Sequence, residues 1–244
     1  MEKKSLLAVC ICLLLFANTA IFAQQNDTKK AVVHLSFWDP IGTNGKEAKN
    51  FTNVFSFNVL YGLSKSEQAF TLSGLASVIK EDASGVQIAG LTNVIGDSAS
   101  GVQIAGLANT VGDSASGVQI AGLVNAIGDD AYGLQIAGLV NATGANIYGL
   151  QIAGIGNKSA NVEGMQIAGI FNKAKKVKGV QLGVVNIAES SDYPIGVVNL
   201  IKDGEKGIVL TFDELQNLTA TFRSGGRILY GIVGLAIILN HRRI

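Results

Sequence analysis

Apolar and polar residues recur in the same order every 16 residues from Gly85, and the interval shortens before the array ends near Asn199. The first four copies read GVQIAGLTNVIGDSAS, GVQIAGLANTVGDSAS, GVQIAGLVNAIGDDAY and GLQIAGLVNATGANIY. Within a copy, Val86 and Ile88 alternate as in a strand, and Gly90 provides a corner. A fixed period this short indicates stacked units that contact only their neighbours. The pattern therefore predicts short strands and glycine corners that repeat as the coils of a parallel β-solenoid.

Comparison of the copies predicts which positions face the core. Positions that stay apolar in every copy are expected to face inward, and positions that vary are expected to face outward. Three columns stay apolar: Val86, Val102, Val118, Leu134, Leu150 and Met165; Ile88, Ile104, Ile120, Ile136, Ile152 and Ile167; Leu91, Leu107, Leu123, Leu139, Ile155 and Ile170. Two more columns complete the inward set, beginning at Ile95 and at Ala99. The columns that begin at Thr92 and Val94 vary and are expected to face outward.

Two amide columns are the most regular polar feature of the repeats. Parallel stacking in register places identical residues on one another, so each amide can bond to its copy in the next coil. We expect a structural asparagine ladder at Asn93, Asn109, Asn125, Asn141, Asn157, Asn172, Asn186 and Asn199. We expect a second ladder, and the candidate ligand-binding surface, at Gln87, Gln103, Gln119, Gln135, Gln151, Gln166 and Gln181. An outward row of amides could bind a sugar or another repetitive ligand; alternatively, the glutamines bond to each other and stiffen the stack.

The predicted fold class is all-β, a tapering parallel β-solenoid with an N-terminal β cap and a C-terminal antiparallel meander. Residues 1–23 form a signal peptide, 24–68 the β capping region, 69–199 the solenoid and 200–244 the meander. The alternative is an antiparallel outer-membrane β-barrel with a pore or transport-related role. That alternative places Lys158 and Lys173 against lipid and does not explain identical residues in strands of opposite direction.

The N-terminus predicts export. A basic start at Lys3 and Lys4, an apolar run from Leu6 to about Phe16 and a small residue at Ala23 are typical of a cleaved leader. Both cysteines, Cys10 and Cys12, lie in this leader, so the mature chain is expected to lack disulfides and thiolate sites. The leader contains two of the 19 basic residues and one of the 18 acidic residues, which leaves a formal charge of zero. A neutral chain argues against nucleic-acid binding.

The residues offer little chemistry, so we expect no enzymatic activity, no cofactor and no metal. His34 and His241 have no partner at metal-ligand spacing. The GDSAS sequences lack the second glycine of a nucleophile elbow, and Asp and Ser favour turns there. Aspartates that recur in the turns could stack along a calcium edge, but we expect solvated turns: Asp97, Asp113, Asp129 and Asp130. A basic edge at the far end could meet acidic headgroups or polysaccharide, but a solvated face is favoured: Lys173, Lys175, Lys176 and Lys178.

The chain resembles a known family in the VQ-[IF]-AGL-x-N repeats, WDPIGTNG at 38–45, SDYPIGVVNLIK at 191–202 and SGGRILYGIVG at 224–234. These motifs are similar to those of the surface repeat-containing proteins of Leptospira and the Bacteroidota. The resemblance implies an envelope or surface location and no activity, and it implies a C-terminal portion truncated relative to longer relatives. We therefore expect an exported, non-enzymatic repeat protein of the Gram-negative envelope, at the outer membrane or cell surface, with a structural or adhesive role. Its expected partner is an envelope component, a polysaccharide or a protein.

Overall fold

The computed structural model describes residues 29–213, 217–226 and 229–238. The predicted leader, 1–23, lies outside these residues, as do both cysteines and His241. The chain divides into two units, one up to Gly112 and one from Asp113 onward. Each unit is described by itself.

The first unit is built of parallel strands that alternate between two sheets. One sheet has the order β2-β1-β3-β5-β7-β9 and the other the order β4-β6-β8-β10, and only β2 is antiparallel to its neighbour. A 3-10 helix, Gly45–Asn50, precedes β3. The strands are β1 Lys29–Trp38, β2 Ile41–Gly42, β3 Phe51–Asn58, β4 Tyr61–Ser64, β5 Ser66–Ser73, β6 Ala76–Ile79, β7 Ala83–Ala89, β8 Thr92–Ile95, β9 Ala99–Ala105 and β10 Ala108–Val111.

The second unit repeats this arrangement and ends in a separate sheet. The long strands pair in the order β11-β13-β15-β17-β19-β21 and the short strands in the order β12-β14-β16-β18-β20-β22, all parallel. The strands are β11 Ala115–Ala121, β12 Val124–Ile127, β13 Ala131–Ala137, β14 Val140–Thr143, β15 Asn146–Ala153, β16 Gly156–Lys158, β17 Asn161–Ala168, β18 Phe171–Lys173, β19 Lys176–Leu182, β20 Val185–Ala188, β21 Ser190–Ile195, β22 Val198–Ile201, β23 Lys206–Phe212, β24 Asn217–Gly225 and β25 Tyr230–Ile238.

The register confirms the predicted β-solenoid. Each residue of a repeat lies beside its copy in the next coil, as Gln135 lies beside Gln151. The antiparallel alternative was wrong for the repeats, because their strands pair in parallel. Shortening of the coils occurs at corners: four residues separate Ala142 from Ile147, whereas three separate their partners Lys158 and Val162. The flanking strands therefore keep their register as the coils become smaller.

The predicted C-terminal meander is also confirmed, as the antiparallel sheet β23-β24-β25. Its register places Ile208, Phe222 and Val233 side by side, and likewise Leu210, Ala220 and Leu235. One face of this sheet is therefore apolar, and Leu235 on it is 80% exposed.

The assignment of inward and outward positions was wrong for three of the five columns. Ile136 and Leu134 lie outward and are half-buried, and Leu139 is 38% exposed at a corner. The same holds for the other members of the Val86, Ile88 and Leu91 columns. The Ile95 and Ala99 columns do face inward, as Ile127 and Ala131 illustrate. The interior is completed by residues that the sequence pattern did not assign to it: the alanine before each corner glycine and both amide columns.

Close stacking explains the glycines at two places in each coil. Gly133 has φ +113°, and a Cβ there would lie 2.3 Å from the carbonyl oxygen of Gly117 in the preceding coil. Gly138 begins the corner beside the leucine position, and its Cβ would lie 2.0 Å from the carbonyl oxygen of Gly122. Any larger residue would force adjacent coils apart, since real side chains do not approach backbone this closely.

Candidate functional site

Buried asparagines connect successive coils through their side-chain amides. Asn141 Nδ2 donates to Asn157 Oδ1 at 2.9 Å and to the carbonyl oxygen of Ile152 at 2.8 Å. Asn141 Oδ1 accepts from Asn125 Nδ2 at 2.9 Å. Equivalent bonds join Asn93 to Asn109, Asn157 to Asn172, Asn172 to Asn186 and Asn186 to Asn199. The predicted asparagine ladder is therefore present, and it also satisfies a carbonyl near the end of the neighbouring long strand.

The glutamines form a second ladder, but it lies inside the solenoid. Gln151 Nε2 donates to Gln135 Oε1 at 2.6 Å and to Thr143 Oγ1 at 3.1 Å, and its own Oε1 accepts from Gln166 Nε2 at 2.8 Å. Gln103 bonds to Gln87 in the same way. All seven glutamines are fully buried: Gln87, Gln103, Gln119, Gln135, Gln151, Gln166 and Gln181. The prediction that the glutamine row faces outward was wrong, and the alternative, in which the glutamines bond to each other between coils, describes this ladder.

The outside of the coils carries the apolar side chains instead. We define the outer apolar surface of the second unit as the outward columns that begin at Val118, Ile120, Leu123 and Val124. The corner column within it is called the leucine edge and consists of Leu123, Leu139, Ile155, Ile170, Val184 and Val197. These side chains are between 36% and 52% exposed. The first unit has the same arrangement, with Leu75, Leu91 and Leu107 at its corner. Contiguous apolar exposure of this extent is typical of an interaction surface.

Charged residues of the second unit lie outside the outer apolar surface, many of them at the opposite corner. In the second unit, the corner that follows each short strand is called the aspartate edge, and it carries Asp113, Asp129 and Asp130, then Lys175 and Lys176. None of the charged residues between 113 and 203 occupies the four columns of the outer apolar surface. The charged residues of this unit thus lie outside its outer apolar surface, although the coil of residues 133–148 carries none.

A polar groove of about 360 Å³ lies beside the aspartate edge of the second unit, lined in part by Asn146, Tyr148 and Asn161. Asn161 Nδ2 donates to Asn146 Oδ1 at 2.7 Å, and Tyr148 stacks on Tyr132 with ring centres 4.9 Å apart. A hydrogen bond from Lys178 to Glu163, at 2.9 Å, raises the pKa of the lysine on the same rim. The groove therefore offers amide and charged groups beside the exposed ring of Tyr148.

The first unit contains a buried polar cluster that the sequence pattern did not indicate. Glu67 is 3% exposed and accepts hydrogen bonds from Asn53 at 2.9 Å and from Ser56 at 2.8 Å. Burial raises the pKa of the Glu67 carboxyl, and its hydrogen bonds oppose this shift. His34 is also buried, which lowers its pKa, and its Nδ1 lies 3.1 Å from Thr43 Oγ1. These groups are enclosed within the unit and do not form an open site. They therefore affect the stability of its fold and not the binding of a ligand.

The other candidate sites from the sequence remain surface features. Asp130 Oδ1 accepts from the backbone and side-chain nitrogens of Asn146, at 2.8 and 2.9 Å. Within residues 29–213, 217–226 and 229–238, no group of three His, Cys, Asp or Glu side chains is placed to hold a metal ion. No helix in the same ranges is long and apolar enough to span a membrane.

Comparison of the chain with protein-family models, with curated proteins and with solved structures finds no match in any of the three. The class that the fold defines is a β-solenoid repeat protein with an amide interior and an apolar exterior. The outer apolar surface is therefore the candidate functional site.

Proposed function

We propose that this chain is an exported, non-enzymatic repeat protein of the Gram-negative envelope, and that it holds an envelope component against its outer apolar surface. Its role is structural or adhesive. The observation that carries the proposal is the apolar exterior of the coils, where the leucine edge stays about two-fifths exposed. A protein that functions alone in water has no reason to display such a surface in every coil.

The interior supports a scaffold role. Amides that could have recognised a ligand are used to join one coil to the next, as between Gln151 and Gln166. The outer side chains are therefore held at a fixed spacing of about 4.8 Å along a stack, on a backbone that glycine contacts keep close. Rigid, repetitive display suits attachment to an extended surface and not the enclosure of a small substrate.

The leader-like N-terminus and the family resemblance support the envelope location. The apolar run from Leu6 to about Phe16 is too short for a typical span and is followed by Ala23 and a polar sequence. The absence of cysteine after position 12 suits an exported protein that does not depend on disulfides.

Fractionation of the cells that produce this chain tests the proposal. We expect the chain in the envelope fraction, and we expect mass spectrometry to find Gln24, or its cyclised form, at the N-terminus. A chain with intact Met1 in the cytoplasmic fraction would contradict the proposal. If purified envelope polysaccharide captures the chain, and substitutions at the leucine edge do not weaken this capture, the attachment site is the polar groove and not the leucine edge.

A further inference from the structure

The outer apolar surface of the second unit is convex. Outward residues of the long strands, such as Ile136, and those of the short strands, such as Val140, point away from a shared core and therefore in different directions. Leu139 lies at the corner between them. An apolar partner must cover this edge from both sides at once. Fluid hydrocarbon can surround a convex apolar edge at the headgroup boundary without a preformed groove.

The backbone at the leucine edge is already hydrogen-bonded from coil to coil. The corner N–H groups of Gly138, Leu139 and Val140 donate to the preceding coil at 3.2, 2.9 and 3.0 Å. The asparagine ladder satisfies the carbonyl of Ile136, to which Asn125 Nδ2 donates at 2.8 Å. Leaving water costs several kcal/mol for each unsatisfied backbone group. These corner groups have partners, so the edge meets the condition that lipid imposes on a buried turn.

The scarcity of polar groups on the outer apolar surface favours lipid over protein as the occupant. Protein interfaces carry about one hydrogen bond per 100–200 Å² and a polar rim for specificity. In the four columns of the outer apolar surface the only side-chain hydroxyl or amide is that of Tyr193. Lys158 and Lys173 lie at the outward ends of short strands, between the apolar surface and the aspartate edge. Long lysine side chains at such a border can extend to headgroups while their stems lie along apolar surface.

We propose that the leucine edge of this solenoid inserts into the surface of a lipid bilayer, with the aspartate edge in water. The inference rests on the proposed function, since it names a membrane as the envelope component that the apolar surface holds. Insertion is interfacial: the corner and the outward residues on both sides of it enter the acyl boundary, and the coil does not cross the bilayer. Each added coil adds one more leucine-sized contact, so the affinity grows with the number of repeats.

Vesicle flotation tests the proposal on residues 24–244, with zwitterionic phosphatidylcholine so that charge attraction is absent. We expect the chain to float with the vesicles. The triple variant Leu123→Gln, Leu139→Gln, Ile155→Gln should bind about 30-fold more weakly, since each of these side chains still exposes 36–41% of its surface. The matched control, Asp113→Asn with Asp129→Asn, should bind like the unchanged chain. Circular dichroism should show that both variants keep the β-rich fold.

The depth of insertion gives a second readout. The exported chain has no cysteine, so single cysteines can be labelled with a fluorophore at Leu139→Cys and at Asp129→Cys. Brominated acyl chains should quench the label at position 139 and leave the label at 129 bright. Quenching at 129 alone, or no flotation of the unchanged chain, would overturn the proposal. A dimer that the leucine-edge triple variant abolishes, without vesicle binding, would make a second copy the occupant.

Failure of this inference and failure of the proposed function give different results. A chain found in the envelope that does not bind vesicles keeps the proposed function and rejects lipid as the partner. A chain that binds vesicles but is found intact in the cytoplasm rejects the proposed location.

Discussion

Replacement of one ladder asparagine should be far more costly than its size suggests. In Asn141→Leu the new side chain keeps the four heavy atoms and the branching of asparagine, so the change opens no cavity, but two acceptors lose a donor: Asn157 Oδ1 and the carbonyl oxygen of Ile152. Asn125 Nδ2 also loses an acceptor, although it keeps its bond to Ile136. Each buried orphaned group costs about 1–3 kcal/mol, so the free energy of unfolding should fall by about 2–6 kcal/mol.

Urea unfolding followed by circular dichroism measures this loss. The control is Val140→Leu, which introduces the same side chain one residue earlier in the same strand, where it points outward. We expect the control to change the free energy of unfolding by less than about 0.5 kcal/mol. Each coil contacts only its neighbours, so a loss in Asn141→Leu could appear as an earlier transition of part of the array. Equal stability of the two variants would refute the claim that the asparagine ladder holds the coils together.

Three further changes test the fold. Deletion of Gly133–Tyr148 removes one 16-residue coil and should leave a cooperatively folded, β-rich chain about 5 Å shorter by small-angle scattering, whereas aggregation would argue against interchangeable coils. Ile127→Asp places a charge in the core and should abolish folding, whereas Ile136→Asp places it on the outside and should lower the melting temperature far less. If Ile136→Asp were the more damaging of the two, the Ile88 column would face inward after all. The pKa of Glu67 is higher in the folded than in the unfolded chain, so its contribution to stability is greatest below the unfolded pKa and is lost as the pH rises through the folded pKa. Glu67→Gln should remove this decline of stability with pH. A pH profile of stability that is unchanged in Glu67→Gln would contradict the buried carboxylate.

Sequence reasoning was sufficient for the fold because the repeat supplies a direct structural signal. Identical residues at a fixed interval require an arrangement in which identical positions meet, and parallel stacking provides it. The shortening of the asparagine interval likewise predicted smaller coils, which the register around Lys158 shows. The C-terminal meander followed from three apolar runs separated by turn residues.

Hydrophobicity placed the Ile95 and Ala99 columns correctly but failed for the Val86, Ile88 and Leu91 columns, because the long strands and the corner beside them carry apolar side chains on the outside. Val and Ile columns gain burial from their copies above and below, so they are half-buried even on the outside. Glutamine is normally exposed, but stacking gives Gln135 and Gln151 hydrogen bonds to each other that an interior position requires. A usable signal existed in residue size: one column stays alanine in six successive coils, which indicates a narrow interior at this position: Ala89, Ala105, Ala121, Ala137, Ala153 and Ala168.

Native-state thiol labelling measures most directly whether the apolar leucine edge lies on the outside of the coils. Ala137→Cys and Leu139→Cys lie two residues apart in one coil, and the native residues are 3% and 38% exposed. In the folded chain that begins at Gln24, the thiol at 139 should react within about tenfold of its rate in the urea-unfolded chain, because the folded state leaves it open to solvent. The thiol at 137 should react at least about a thousandfold more slowly than when unfolded, since it must wait for the coil to open. Fast labelling at 137 and protection at 139 would contradict the apolar exterior and with it the proposed attachment surface.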